Sequence, residues 1–200
     1  LDHILISGSY PQIEMESLIR QSFGQVTRKS TVKNHFSENY IPEKIERRIE
    51  NTSQASIALG FPSISIKEDQ YPTHSFITKI LGGYFGSRLM KSLREDAGLT
   101  YGVHSYIHHL LQGSSFQITS DVKLAAVDES IEIVLYEIKS LLDKPISTDE
   151  INTVKSYMLG EYVNDSNTAF DFASLYKKII LQDLPVNYYD NFYQQIKAIT

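Results

Sequence analysis

The sequence predicts an α+β domain, an antiparallel or mixed β-sheet with helices packed on one face. Three observations predict it. Ala55, Ile57, Leu59 and Phe61 alternate with small or polar residues, the period of a half-buried strand. Two further alternating runs, Thr100 to His109 and Ser115 to Val122, flank a turn around Gln112-Gly113 and read as an antiparallel hairpin. From Val127 onward the apolar residues Ile131, Val134, Leu135, Ile138, Leu141 and Leu142 switch to helical spacing and form one stripe.

Along the chain, His3 to Ser7 reads as a short buried strand. Pro11 stands where proline favours a helix start, Met15, Leu18, Ile19 and Ser22 fall at helical spacing, and Gly24 is the stop. Gln25 to Ser53 is polar and weakly periodic, a connecting arm with room for one edge strand. Pro62 ends the first clear strand. Pro72 starts a helix carrying Phe76, Ile77, Ile80 and Leu81, and Gly82-Gly83 breaks it. A second helix runs from about Ser87 to Asp96 and stops at Gly98. After the hairpin and the long apolar stripe, Pro145 ends that helix, and Ser147 with Glu150 makes a capping box for the next. That helix turns Ile151, Val154 and Met158 inward, and two more helices follow, split at Pro185.

Composition narrows the function. The 200 residues suit one domain, and 42% hydrophobic residues suffice for a real core. A net charge of -5 with scattered lysines and arginines argues against nucleic acid or an anionic membrane as a partner. No apolar run approaches the ~20 residues that cross a bilayer. The absence of cysteine excludes disulfides, thiolate metal sites and a cysteine nucleophile, and leaves bacterial cytoplasm and periplasm equally open. The chain begins without Met and in mid-pattern, so we expect a fragment with any targeting segment outside it.

The zinc-hydrolase signatures are missing. Neither H-E-x-x-H nor H-x-x-E-H occurs, and His35 to Asn39 comes within one residue of the inverted motif, inside the polar arm. A solvated arm is the better reading of that near-match. His104 and His108 share a strand face four residues apart, too far to chelate one ion at ~3.3 Å per residue, and His109 points the other way. They read as hairpin surface or a partly buried ring. Gly82, Gly83 and Gly86 follow a helix rather than a strand, the wrong context for a dinucleotide loop. Asp165 and Asp171 make no calcium loop.

One stretch stands apart, from Leu81 to Val103. Arg88 and Arg94 lie on a short helix just after a glycine pair, and Tyr101 opens the strand that follows Gly98. A guanidinium fork suits a peptide carbonyl or carboxylate, and a phenol donates to a carbonyl oxygen that becomes negative in acyl transfer. The plainer alternative is a local ion pair for Arg94 and a packed Tyr101 at the hairpin base.

The stretch resembles the second-half signature of the pitrilysin/insulinase-like zinc peptidases, the M16 family. That pattern runs L-G-G-x-x-x-S-R-L-x-x-x-L-R-x-x-x-G-L-x-Y, and Leu81, Gly82, Gly83, Ser87, Arg88, Leu89, Leu93, Arg94, Gly98, Leu99 and Tyr101 all match it. Ile4 to Gly8 with Phe23-Gly24, Ser147 to Ile151, and Ile196 to Thr200 resemble further family segments. The resemblance implies an M16 metallopeptidase or mitochondrial-processing-peptidase-like domain of the kind that lacks the zinc motif. Such a domain closes over extended peptide beside a zinc-bearing catalytic domain or subunit. It implies that Arg94 and Tyr101 bind substrate, with Gly82, Gly83, Ser87 and Arg88 in the loop near it. It implies no catalytic residue, metal ligand or cofactor in this chain, with zinc in the partner; a homodimer is also an expected assembly. The competing expectation is a non-proteolytic scaffold or assembly subunit of the same family.

The same frame divides the chain into a strand–helix unit at 1–24 from a preceding domain, an interdomain arm at 25–53, and the inactive domain at 54–200. Residues 1–24 are expected to fill the place of that domain's own last strand and helix, in cis or in a swapped dimer. Tyr84, Phe85 and Gly86 replace a turn that is usually small and glycine-rich; Phe85 is expected in the core, with a substrate contact as the alternative.

Overall fold

In the computed structural model, which describes residues 3–26, 40–110 and 113–200, the three alternating runs become three strands. They are β1 (Gln54–Ser63), β2 (Thr100–Leu110) and β3 (Gly113–Lys123), in the order β1-β3-β2 with both pairings antiparallel. Leu111 and Gln112 of the expected turn lie outside the described residues. Pro62 falls inside β1, which an edge strand tolerates because its outer side needs no donor.

The sheet has one covered and one open face, as its alternation requires. Ile57, Val103, Ser105, Phe116, Ile118, Ser120 and Val122 are buried on the covered face. Phe61 is half-exposed yet stacks on its cross-strand neighbour Phe116, ring centroids 4.8 Å apart. On the open face Ser56 donates to Asp121 and Tyr106 to Gln117.

Six α-helices accompany the strands among the described residues: α1 (Gln12–Phe23), α2 (Tyr71–Gly82), α3 (Val127–Asp143), α4 (Thr148–Asn164), α5 (Ala169–Gln182) and α6 (Tyr188–Ala198). Two compact units result. Residues 38–159 and 187–200 form the one containing the sheet, and residues 1–37 and 160–186 form the other.

In the sheet unit, α2 separates two apolar clusters. Leu81, Leu89, Met90, Leu93 and Val134 pack with Val103, Phe116 and Ile118 on the sheet. Phe76 and Ile80, on the same helix, join Val154, Met158, Phe192 and Ile196 in the second cluster. The α2–β2 seam is tight because Gly82 has no Cβ: one placed there would lie 2.9 Å from both Ser105 N and Oγ. Ser105 Oγ also donates to the Thr78 carbonyl at 2.7 Å.

In the other unit, α1 starts after Pro11 and ends at Gly24, as the punctuation predicts. Ser7 Oγ donates to the Ala169 carbonyl at 2.7 Å. Thr168 and Asp171 cap α5 reciprocally, and this is what occupies Asp171.

Three expectations are corrected. His3 to Ser7 is not a strand. A short apolar run becomes a strand only against an edge that accepts its ladder. The stripe on α3 is narrower than its spacing predicts: Val134 is fully buried, but Leu135 and Leu142 are exposed. Finally, the helix after Ser87 continues from Met90 to Asp96 as a π-helix, its wider turn closed by Ala97 N–H to the Ser92 carbonyl at 3.1 Å.

Candidate functional site

The stretch from Leu81 to Val103 lies wholly in the sheet unit, and its residues divide into buried and open groups. Gly82 and Ser87 are buried. A Cβ on Gly83 would lie 2.7 Å from Lys79 Cα, so this glycine too serves close packing. Arg88 Nε and Nη2 donate to the two carboxylate oxygens of Glu150 at 2.8 and 2.7 Å. These hydrogen bonds hold the guanidinium pKa above its ordinary value. Both side chains of the pair are largely covered, at 18% and 24% exposure. Glu150 was legible in sequence as a cap: its N–H does donate to Ser147 Oγ at 3.2 Å. Its carboxylate as the partner of Arg88 was not.

Arg94 and Tyr101 differ from these. Arg94 is half-exposed near the end of the π-helix, and among the described residues its guanidinium has no ion pair or hydrogen bond. Its central carbon instead lies 4.5 Å from the ring centroid of Phe85. Phe85 is 63% exposed, so the expectation that it belongs to the core is wrong. Its neighbour Tyr84 takes the inward place, its ring 4.9 Å from that of Tyr157. Burial, with Glu150 nearby, raises the Tyr84 phenol pKa above its usual value.

Tyr101 is 90% exposed, and the strand itself produces that exposure. Thr100 pairs with Val122 and Val103 with Ser120, so Tyr101 and Gly102 together stand opposite Asp121 alone. This is a β-bulge. Counting back from Val103 in regular alternation would place Tyr101 on the covered face; the extra residue turns it out. Side chains hold the bulge. Thr100 Oγ1 accepts from Gly102 N–H at 3.1 Å and lies 2.6 Å from the Asp121 carbonyl, and Ser120 Oγ lies 2.8 Å from the Gly102 carbonyl. The turn before the strand is equally defined. Gly98 takes φ +62, the left-handed region, and Leu99 N–H closes onto the Leu93 carbonyl at 2.9 Å.

Chemically, an unpaired guanidinium can bind a carbonyl or carboxylate through in-plane donors, and an exposed phenol can donate one hydrogen bond. A zinc site is a different matter. Among the described residues no group of three or more His, Asp or Glu side chains gathers to hold a metal ion. His104 and His108 are on the open face, while His109 is bonded at 2.9 Å to both Tyr71 Oη and Ser114 Oγ. Those donors do not fit zinc. His35 to Asn39 lies outside the described residues. Among the described residues, no helix is long and apolar enough to cross a membrane.

Known proteins are similar to this chain in sequence and fold. The family described as peptidase M16 inactive domain matches residues 3–158. The chain is similar to the uncharacterized zinc protease YmxG of Bacillus subtilis (strain 168), 25% identical over 142 residues, 71% of this chain and 34% of that one. It is similar to the non-peptidase homolog YmxG of Helicobacter pylori, 26% identical over 157 residues, 75% of this chain and 35% of that one. Among solved structures, a peptidase M16 inactive domain from Pseudomonas fluorescens superposes with a TM-score of 0.68 at 26% identity, over 74% of this chain and 36% of that one. The chain thus spans about a third of the length of the curated relatives it matches.

Proposed function

The chain belongs to the peptidase M16 family as its inactive domain, and from that premise we propose that it is the substrate-holding half of a zinc metalloprotease. It encloses extended peptide and supplies Arg94 and Tyr101 to a composite site. The zinc belongs to a catalytic M16 domain or subunit that pairs with it. When bound there, zinc supplies the activated water and polarises the scissile carbonyl. The residues of this chain bind and orient: the Arg94 fork takes a peptide carbonyl, and the Tyr101 phenol donates towards an oxygen gaining negative charge.

The observation that supports this reading is the contrast in pairing. Arg88 is committed to the Glu150 carboxylate, while Arg94, of similar partial burial, has no ion pair or hydrogen bond among the described residues, and Tyr101 is exposed. The exposed Tyr101 ring is not needed for packing, and the Arg94 guanidinium lies against the Phe85 ring.

The test is peptide cleavage by this chain, alone and mixed with its zinc-bearing partner. The expected result is no cleavage alone and cleavage on mixing. Arg94→Ala should then raise the barrier by roughly 2–4 kcal/mol, the size of one lost oxyanion donor, with zinc content unchanged. Equal turnover by the variant rejects the role. A second reading, a scaffold without proteolysis, has support in the printed name of the Helicobacter pylori relative. A mixture that assembles but stays inert favours that reading.

A further inference from the structure

We infer that Phe85 is the positioning residue for Arg94: its exposed ring holds the guanidinium plane while leaving the donors free for a peptide carbonyl or carboxylate. This rests on the substrate-holding reading above. Phe85 is 63% exposed, so its ring stands at the surface beside Arg94 and not in the core. It lies within the ~6 Å range of a cation–π contact, at 4.5 Å from the Arg94 guanidinium carbon.

The chemistry explains why an aromatic ring suits the task. A carboxylate partner, as Arg88 has, would occupy the fork and compete with the substrate. A ring occupies only the flat face, and the five N–H donors point outward in the plane. An unsupported arginine loses up to ~2 kcal/mol of side-chain entropy when a ligand immobilises it, and a ring already under the guanidinium removes part of that cost.

Phe85 is itself held. Tyr84 is packed on Tyr157 on one side of it. On the other, Gly86 lets the Tyr84 ring lie close, since a Cβ there would be 2.8 Å from Tyr84 Cε2. Ser87 N–H closes the turn onto the Tyr84 carbonyl at 3.1 Å, and the Arg88–Glu150 pair follows at once. The turn therefore presents the Phe85 ring from a fixed backbone.

The experiment has two readouts on the same variants. In the full chain, NMR of the Arg94 δ-methylene should show an upfield ring-current shift. Phe85→Leu should abolish it and Phe85→Tyr should keep it. In the assembly with the zinc-bearing partner, Phe85→Leu should lower turnover roughly two- to fivefold, the fold-change of an exposed cation–π contact, and Phe85→Tyr should restore it. In the Arg94→Ala background, Phe85→Leu should change nothing further. A Phe85→Leu loss that persists there overturns the inference, because the ring would then act on the peptide itself. Loss of turnover in Arg94→Ala with none in Phe85→Leu also overturns it and leaves the substrate-holding reading standing. Unchanged turnover in Arg94→Ala rejects that reading, and positioning for catalysis with it.

Discussion

The two ends of the Leu81–Tyr101 segment solve opposite problems with the same residue types. At its start, glycines bring α2 against β2, Ser87 is buried, and Arg88 is saturated by Glu150. At its end lie a wide helical turn, a left-handed glycine and a bulge, with Arg94 half-exposed and unpaired among the described residues and Tyr101 exposed. Two arginines six positions apart thus have different fates. A matched signature residue is therefore not by itself a site residue: most of this signature builds the platform, and few members stand on it.

The comparison breaks most readily at the platform. Leu93, on the inward side of the π-helix, is fully buried, and Leu93→Ala should cost about 2–5 kcal/mol in denaturant unfolding. A loss below about 1 kcal/mol would mean that the π-helix is not anchored as described. Next comes the paired arginine. Arg88→Ala leaves the Glu150 carboxylate uncompensated in a mostly covered place and should cost about 1–3 kcal/mol. Additional removal of the Glu150 carboxylate should then cost less than it does in the wild type, which a double-mutant cycle measures.

A third expectation concerns pH. Burial pushes the Tyr71 phenol up to about 12 from 10.0, and Tyr188 is raised by the same cause. The folded state therefore holds these protons more tightly than the unfolded chain. Stability is fully present below the unfolded phenol value of ~10 and falls as pH rises towards 12, approaching about 1.4 kcal/mol per pH unit for each of the two phenols. Melting temperatures measured between pH 8 and 12 should fall within that window, and Tyr71→Phe should flatten the decline. The smallest effect belongs to the open end: Tyr101→Phe should leave unfolding free energy within about 0.5 kcal/mol of wild type. A larger loss would show that Tyr101 is structural, and the contrast between the two ends would fail.

Much of the scaffold was legible. Strict alternation located β2 and β3 to within a residue or two, and Pro11 with Gly24 bracketed α1. Phe76, Ile80, Val154 and Met158 are buried as their helical spacing predicts. The misreadings share a cause. His3 to Ser7 is apolar enough for a strand but forms none. Leu135 and Leu142 continue a stripe wider than the surface that covers it. Phe85 was assigned to the core by residue type, whereas Tyr84 beside it took the inward place. The two glycines around that aromatic pair were the available clue, because they leave one ring free to turn out.

The sequence by itself determined the period of each element, the absence of thiol chemistry, and a signature specific enough to imply a family. These properties are local, carried by spacing and residue type along the chain. Only the tertiary structure decided which cation is consumed and which is free. Arg88 is saturated by a carboxylate that lies 62 residues away in sequence. Arg94 meets the face of Phe85, and Tyr101 is exposed because β2 gains one residue over β3. Charge neutralisation and exposure depend on which groups folding brings within a few ångströms, and no local pattern encodes that distance.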